Sequence, residues 1–133
     1  MRSFWDRWAR FYDLAERSNR AVNRAAAVRT AELIPPGARA LDCAAGTGEF
    51  SLAAAKRAKT VLCTDLSLPM LEQARKKAKK RGLTNVSFAQ RDITALPDSD
   101  GSFDAVIAAN VLHLLPRPEA AVRELWRVTA PGG

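Results

Sequence analysis

Two patterns of apolar positions alternate along the chain. Short uninterrupted apolar runs predict buried β-strands, and helical spacing of apolar residues predicts amphipathic helices. The predicted strands cover residues 38–44, 60–64, 86–89 and 103–109. The predicted helices cover residues 3–16, 19–33, 48–57, 67–82 and 118–128. Because strands alternate with helices, the pattern predicts an α/β fold with a parallel sheet and helices on both of its faces.

A glycine turn directly after the first predicted strand indicates a nucleotide-type ligand. The turn runs from Asp42 to Gly48, and Asp65 lies at the end of the second apolar run. Glycine lets the backbone pass close to a ligand, and a carboxylate after the second strand can accept hydrogen bonds from both ribose hydroxyls. We therefore expect an adenosine cofactor, although the turn alone leaves a dinucleotide open.

Two residues argue against a dinucleotide. Its fingerprint has a third glycine where this chain has Ser51. The carboxylate of Asp42 would repel a pyrophosphate, whereas it suits the ammonium group of an amino-acid moiety.

The charge and composition of the chain narrow the classes of molecule that it is expected to bind. The chain has 133 residues, a net charge of +7 and a pI near 10.1, which favours anionic partners. The basic cluster over residues 75–81 has no interleaved aromatic residues, which argues against nucleic acid. Cys43 and Cys63 lie in apolar runs and match no metal motif, so no metal site is expected. Because no apolar run approaches the ~20 residues of a membrane span and no signal peptide is recognisable, we expect a cytoplasmic location.

Four motifs in order resemble those of the class I S-adenosylmethionine-dependent methyltransferases of the small-molecule or lipid type. They are Asp42-x-x-x-Gly46-Thr47-Gly48, Asp65-x-Ser67-x-x-Met70-Leu71, Asp92-Ile93 and Phe103-Asp104-x-Val106. The resemblance implies a Rossmann-like sheet with strand order 3-2-1-4. It also implies an N-terminal helical lid over residues 1–34 and a cofactor-binding core over residues 35–133. The family normally continues with further strands after the Pro-Gly-Gly found here at residues 131–133.

The resemblance also implies roles for the residues of the first two motifs. Asp42 would bind the amino group of S-adenosylmethionine, directly or through water, and Asp65 would bind the ribose. Ala44, Gly46 and Gly48 would line the methionine moiety. The family usually has glycine at the position of Ala44, and alanine is tolerated there if its φ stays negative.

Further roles follow from the resemblance at the other strand ends. Leu66 and Met70 would flank the adenine, while Asp92 and the backbone of Ile93 would read its edge. Asn110 would face the sulfonium.

The N-terminal segment carries aromatic residues at helical spacing, among them Trp5, Trp8 and Tyr12. As a lid, this segment would place Tyr12 over the cofactor. As a membrane-surface helix, its arginines would meet anionic head groups while Trp and Phe enter the interface. The two interpretations are compatible in a lipid methyltransferase.

The function expected from the resemblance is methyl transfer from S-adenosylmethionine to a small-molecule acceptor by in-line displacement, which leaves S-adenosylhomocysteine. The alternatives are a truncated cofactor-binding module without turnover and a phospholipid N-methyltransferase at a membrane surface. His113, the only histidine, is either a general base at the pocket or a packing and capping residue.

The fourth predicted strand is apolar on both sides and would lie at an edge of the sheet. An unpaired apolar edge promotes association. We therefore expect a homodimer that covers this edge.

Overall fold

The computed structural model describes residues 20–133, so the predicted helix over residues 3–16 and the predicted contact of Tyr12 lie outside the described residues. Four strands form one sheet: β1 (Arg39–Asp42), β2 (Thr60–Asp65), β3 (Val86–Gln90) and β4 (Ala105–Ile107). The helices of the described part are α1 (Arg20–Leu33), α2 (Glu49–Ala54), α3 (Leu68–Lys80) and α4 (Pro118–Val128), with a 3₁₀ turn at Leu112–Leu114.

The four strands pair in the order β3-β2-β1-β4, and every pairing within the sheet is parallel. Leu41 of β1 lies between Leu62 of β2 and Val106 of β4. The predicted strand order and fold class are therefore confirmed. All carboxyl ends of the strands meet at one edge of the sheet, which is where ligands bind in folds of this type.

Helices cover both faces of the sheet because residues along β1 alternate between the two sides. Ala40 packs in a cluster with Ala54 of α2 and Val61 of β2. Leu41 and Cys43 pack in another cluster with Ala121 and Val128 of α4. The chain thus encloses the central strands between two apolar layers.

The Phe103-Asp104 pair fixes the start of β4 against β1. The carboxylate of Asp104 accepts hydrogen bonds from the backbone N–H of Arg39 at 2.9 Å and from its guanidinium at 3.1 Å. This guanidinium lowers the pKa of Asp104 below its ordinary value. Phe103 also forms a parallel bridge with Thr129, so a segment after α4 covers the first part of the β4 edge.

Three elements are shorter than predicted. The first strand was predicted over residues 38–44 and ends at Asp42, and the fourth was predicted over residues 103–109 and covers Ala105–Ile107. The physical reason is that β4 pairs with β1 only as far as Ile107 and Asp42. After each strand the backbone then turns at a residue with positive φ, which is Ala44 after β1 and Asn110 after β4. The helix predicted over residues 48–57 ends at Ala54 and continues as turns.

Candidate cofactor site

A cavity of about 560 Å³ opens at the carboxyl edge of the sheet. This volume lies within the range of roughly 300–1,000 Å³ that is typical of small-molecule pockets. Residues after all four strands contribute to its wall, and α1 contributes Val22 and Asn23. The parallel topology therefore brings together residues as far apart in sequence as Asp42 and Leu115.

The carboxylate of Asp65 is held at the centre of this cavity by two backbone groups. Its Oδ2 accepts a hydrogen bond from the N–H of Gly46, and its Oδ1 accepts one from the N–H of Ser67, each at 2.9 Å. Ser67 in turn caps α3, since its hydroxyl accepts from the N–H of Met70 at 3.3 Å. The carboxylate is thus oriented before any ligand arrives, and each of its oxygens has more than one acceptor position.

Asp42 forms the buried floor of the same cavity. It is 1% exposed, and its Oδ2 accepts a hydrogen bond of 2.6 Å from the hydroxyl of Ser51. Burial raises the pKa of Asp42 to about 7, an effect that the hydrogen bond from Ser51 opposes and the nearby Asp65 increases. A cationic group placed beside Asp42 would stabilise its ionised form.

The turn between β1 and α2 takes left-handed backbone angles at three residues: Ala44 (φ +54°), Gly46 (φ +59°) and Gly48 (φ +87°). The condition under which alanine was expected to be tolerated at position 44, a negative φ, is therefore not met. Alanine in this conformation costs roughly 1–2 kcal/mol relative to glycine because its Cβ approaches a carbonyl oxygen. Ala44 lines the cavity, so this strain lies at the ligand wall.

Gly48 serves helix packing, and it is not among the residues that line the cavity. A Cβ built on Gly48 would lie 2.9 Å from the Cβ of Ala74, which is fully buried on α3. The glycine therefore allows the start of α2 to approach α3. Its contact with the methionine moiety stays a prediction beside this packing role.

The side of the cavity nearest β2 and β3 is apolar with one cation. Leu66, Met70 and Ile93 line it, and both Met70 and Ile93 are buried. Arg91 also lines it and lies 3.9 Å from the carboxylate of Asp98. Asp92 is not among the residues that line the cavity, and its Oδ1 accepts hydrogen bonds from the N–H and the hydroxyl of Thr94 at 2.9 and 2.6 Å.

The side nearest β4 has two polar groups among apolar ones. Asn110 is exposed in a left-handed conformation with φ +56°, and His113 is exposed on the following 3₁₀ turn. Val22 of α1 and Leu114 are 68% and 43% exposed and also belong to the wall. The cavity wall thus includes exposed apolar side chains beside its polar groups.

Residues 40–133 match the family described as "Methyltransferase domain". The chain belongs to the S-adenosylmethionine-dependent methyltransferase family. The predicted resemblance and the cofactor class are thereby confirmed.

Individual relatives and solved structures are similar to this chain in sequence and fold. The demethylmenaquinone methyltransferase of Thermus thermophilus is 46% identical over 97 residues, which are 71% of this chain and 44% of that protein. A solved S-adenosylmethionine-dependent methyltransferase from Aquifex aeolicus is 28% identical with a TM-score of 0.66, covering 73% of this chain and 53% of that one. The [4+2]-cyclase SpnF is 33% identical with a TM-score of 0.77, covering 83% of this chain and 42% of that one.

This methyltransferase-family chain spans less than half the length of the curated relatives that it matches, between 36% and 44%.

Within the described residues, no helix is long and apolar enough to cross a membrane. The same part of the chain holds no group of three or more His, Cys, Asp or Glu side chains that fits a metal ion.

The structure gathers most of the predicted cofactor residues of this methyltransferase fold around one cavity. Those that line it are Asp42, Ala44, Gly46, Asp65, Leu66, Met70, Ile93 and Asn110, together with the catalytic candidate His113. Gly48 and Asp92 are not among the lining residues, and Tyr12 precedes the described residues. Contact with the cofactor itself stays a prediction for each of them.

Sequence reasoning missed several wall residues. Glu49 and Phe50 belong to the first turn of α2, where they line the cavity directly after the glycine turn. Their position directly after the glycine turn could have predicted that both residues line the cavity. Glu49 also lies 3.5 Å from the ammonium of Lys77 and 3.7 Å from the guanidinium of Arg81. Two cations of the basic cluster over residues 75–81 are therefore paired with this carboxylate.

The two cysteines are buried free thiols, as predicted. Burial raises the pKa of both Cys43 and Cys63 to about 12. Neither thiol is therefore a nucleophile near neutral pH, because the thiolate is the reactive form.

Proposed function

We propose that this chain binds S-adenosylmethionine in the cavity and transfers its methyl group to a small-molecule acceptor by in-line displacement. The observation that carries the cofactor assignment is the orientation of Asp65 by the backbone N–H groups of Gly46 and Ser67. A carboxylate held in this way can accept hydrogen bonds from both hydroxyls of a ribose without reorganising. The adenine then lies between Leu66, Met70 and Ile93.

The charge of the cavity supports a cationic cofactor. Three carboxylates line it, those of Asp42, Glu49 and Asp65, against the single arginine Arg91 in the described part of the chain. S-adenosylmethionine brings an ammonium and a sulfonium, whereas a dinucleotide brings an anionic pyrophosphate. Because Glu49 pairs with Lys77 and Arg81, the acidic character of the cavity comes from Asp42 and Asp65, in a chain whose net charge is +7. In this proposal Asp42 receives the ammonium from below, and Ala44 and Gly46 line the methionine chain.

The acceptor enters from the β4 side. The methyl carbon of a sulfonium is already electrophilic, so the protein's task is to align the nucleophile with the S–CH₃ bond and to exclude water. Asn110 faces the sulfonium in this arrangement, and His113 is the wall residue that can take a proton from an acceptor hydroxyl. The acceptor's lone pair forms the new bond to carbon, and the C–S electron pair leaves with S-adenosylhomocysteine.

The segment over residues 1–34 is proposed to close this cavity. Its described part, α1, already contributes Val22 and Asn23 to the wall, and residues 1–19 lead directly into that helix. Tyr12 and the tryptophans of the segment would cover the cofactor. Deletion of residues 1–16 should weaken binding of S-adenosylmethionine, and equal affinity without them would refute the lid.

A homodimer through β4 belongs to the same proposal. Within the described residues β4 has one strand neighbour, β1, and only Phe103 is bridged on its other side. Ala105 and Val106 are half-buried at this edge. Light scattering should show a dimer at micromolar concentration, and a soluble monomer would contradict it.

A binding module without turnover is the second candidate. Equilibrium dialysis with S-adenosylmethionine, combined with transfer of a tritiated methyl group to small hydroxylated or amino acceptors, separates the two. Binding with transfer supports the enzyme, binding alone supports the module, and no binding refutes both.

A further inference from the structure

Two charged residues on α4, Glu124 and Arg127, form a half-buried pair. The Nε of Arg127 donates to Oε2 of Glu124 at 2.7 Å, and its Nη2 donates to Oε1 at 3.2 Å. The side chains of Arg127 and Glu124 are 31% and 19% exposed. This two-bond geometry fixes both groups more firmly than an exposed single-contact ion pair.

The pair does not act on its own helix alone, because it holds the loop that follows β3. Glu124 Oε1 accepts a hydrogen bond from the N–H of Leu96 at 2.8 Å, and Arg127 Nη2 donates to the carbonyl of Leu96 at 2.9 Å. Arg127 Nη1 also donates to the carbonyl of Asp98 at 2.8 Å and to the carboxylate of Asp100 at 2.9 Å. Both backbone groups of Leu96 are therefore tied to α4.

This loop carries the wall of the cavity at its adenine end. Ile93 lies three residues before Leu96, and both are buried in the apolar cluster that contains Ala121 and Val128 of α4. Asp98, whose carbonyl Arg127 holds, faces Arg91 across 3.9 Å. Arg91 Nε and Asp98 Oδ2 are buried side-chain atoms without a hydrogen-bond partner. The position of Arg91 and Ile93 thus depends on contacts made by α4.

We propose that Glu124 and Arg127 are positioning residues that set how the loop over residues 91–96 reads the base of the cofactor. The proposal rests on the proposed binding of S-adenosylmethionine in this cavity. Recognition of a base edge needs donors and acceptors held within about 0.5 Å of their productive positions. A lysine at position 127 keeps the charge but cannot serve carbonyl and carboxylate groups in several directions at once. A glutamine at position 124 keeps the shape and loses the charge.

The test compares two ligands that differ only at the base edge, S-adenosylhomocysteine and S-inosylhomocysteine. Adenine has an amino donor where hypoxanthine has a carbonyl, so the ratio of their dissociation constants measures how well the loop reads the base. The full chain should prefer the adenine compound. In Arg127→Lys and Glu124→Gln this preference should fall about five- to thirtyfold, as expected for one or two misaligned hydrogen bonds.

Arg123→Lys is the matched control, because Arg123 is exposed on the same helix one turn before Arg127. Its ratio should equal that of the unchanged chain. A merely structural role lowers the folded fraction and weakens both ligands equally, so an unchanged ratio in both test variants would overturn the proposal. If Arg127→Lys does not fold, Glu124→Gln carries the test, because glutamine keeps an oxygen that can accept from the N–H of Leu96. Failure of the unchanged chain to bind either ligand would instead refute the proposed function, and this inference with it.

Discussion

Replacing Gly48 by alanine tests the packing that shapes the glycine turn. The new Cβ would lie 2.9 Å from the Cβ of Ala74, whereas carbon atoms in contact are about 3.5–4.0 Å apart. Ala74 is fully buried, so α3 must move to relieve the overlap.

Three terms set the expected size of the effect. Overpacking of a core costs about 1–3 kcal/mol. The φ of +87° costs an alanine roughly 1–2 kcal/mol more, and the lower entropy of the unfolded chain returns about 0.4–1 kcal/mol. We therefore expect Gly48→Ala to lower the free energy of unfolding by roughly 2–4 kcal/mol.

Gly37→Ala is the control for backbone strain alone. Gly37 has a φ of +79°, and a Cβ there would meet nothing within 4 Å. Urea unfolding followed by circular dichroism should therefore show a smaller loss for Gly37→Ala than for Gly48→Ala.

A double variant isolates the steric term. In the background Ala74→Gly, the overlapping methyl group is absent, so Gly48→Ala should cost only its backbone strain. The coupling energy of this cycle should be about 1–3 kcal/mol. Equal losses for Gly37→Ala and Gly48→Ala, or a coupling energy near zero, would refute the reasoning.

Three further predictions concern the cavity wall. Ala44→Gly should leave the free energy of unfolding unchanged or raise it by up to about 1 kcal/mol, because it removes the strain at φ +54°. The control Ala45→Gly should lower the free energy of unfolding. A larger loss for Ala44→Gly than for Ala45→Gly in urea unfolding would contradict this prediction. Asp42→Asn should stabilise the chain more at pH 8 than at pH 5, by roughly 2–3 kcal/mol. Burial raises the pKa of Asp42 in the folded chain to about 7, above the ordinary 3.8. The stability that the protonated carboxyl gives the unchanged chain below pH 3.8 is therefore lost as the pH rises through 7. A pH-independent effect in unfolding titrations would show that Asp42 is ionised throughout. Asp65→Asn should weaken binding of S-adenosylhomocysteine by about 1–3 kcal/mol in calorimetry, and unchanged affinity in a folded variant would remove Asp65 from the ribose site.

The sequence predicted the sheet and the convergence of its strand ends because both follow from local pattern and parallel topology. Asp42 and Asp65 each end an apolar run, and parallel strands bring such residues to one edge. The contacts that sequence did not predict depend on packing between distant segments. The packing role of Gly48 requires Ala74 to lie against it, and the hold of Arg127 on Leu96 requires α4 to cross the loop after β3.

The backbone angle at Ala44 was also beyond sequence reasoning. Alanine ordinarily favours negative φ, so its left-handed conformation at this position arises from the turn around it. The hydrogen bonds of Asp92 with Thr94 were also not predicted, although Asp commonly forms this local arrangement in loops. The contact of Asp92 with adenine stays a prediction.

Calorimetric titration of the full chain with S-adenosylhomocysteine and, separately, with NAD tests the central claim most directly. The acidic cavity and the ribose acceptor Asp65 predict saturable one-to-one binding of S-adenosylhomocysteine and no binding of NAD at the same concentrations. Saturable binding of NAD without binding of S-adenosylhomocysteine would contradict the account.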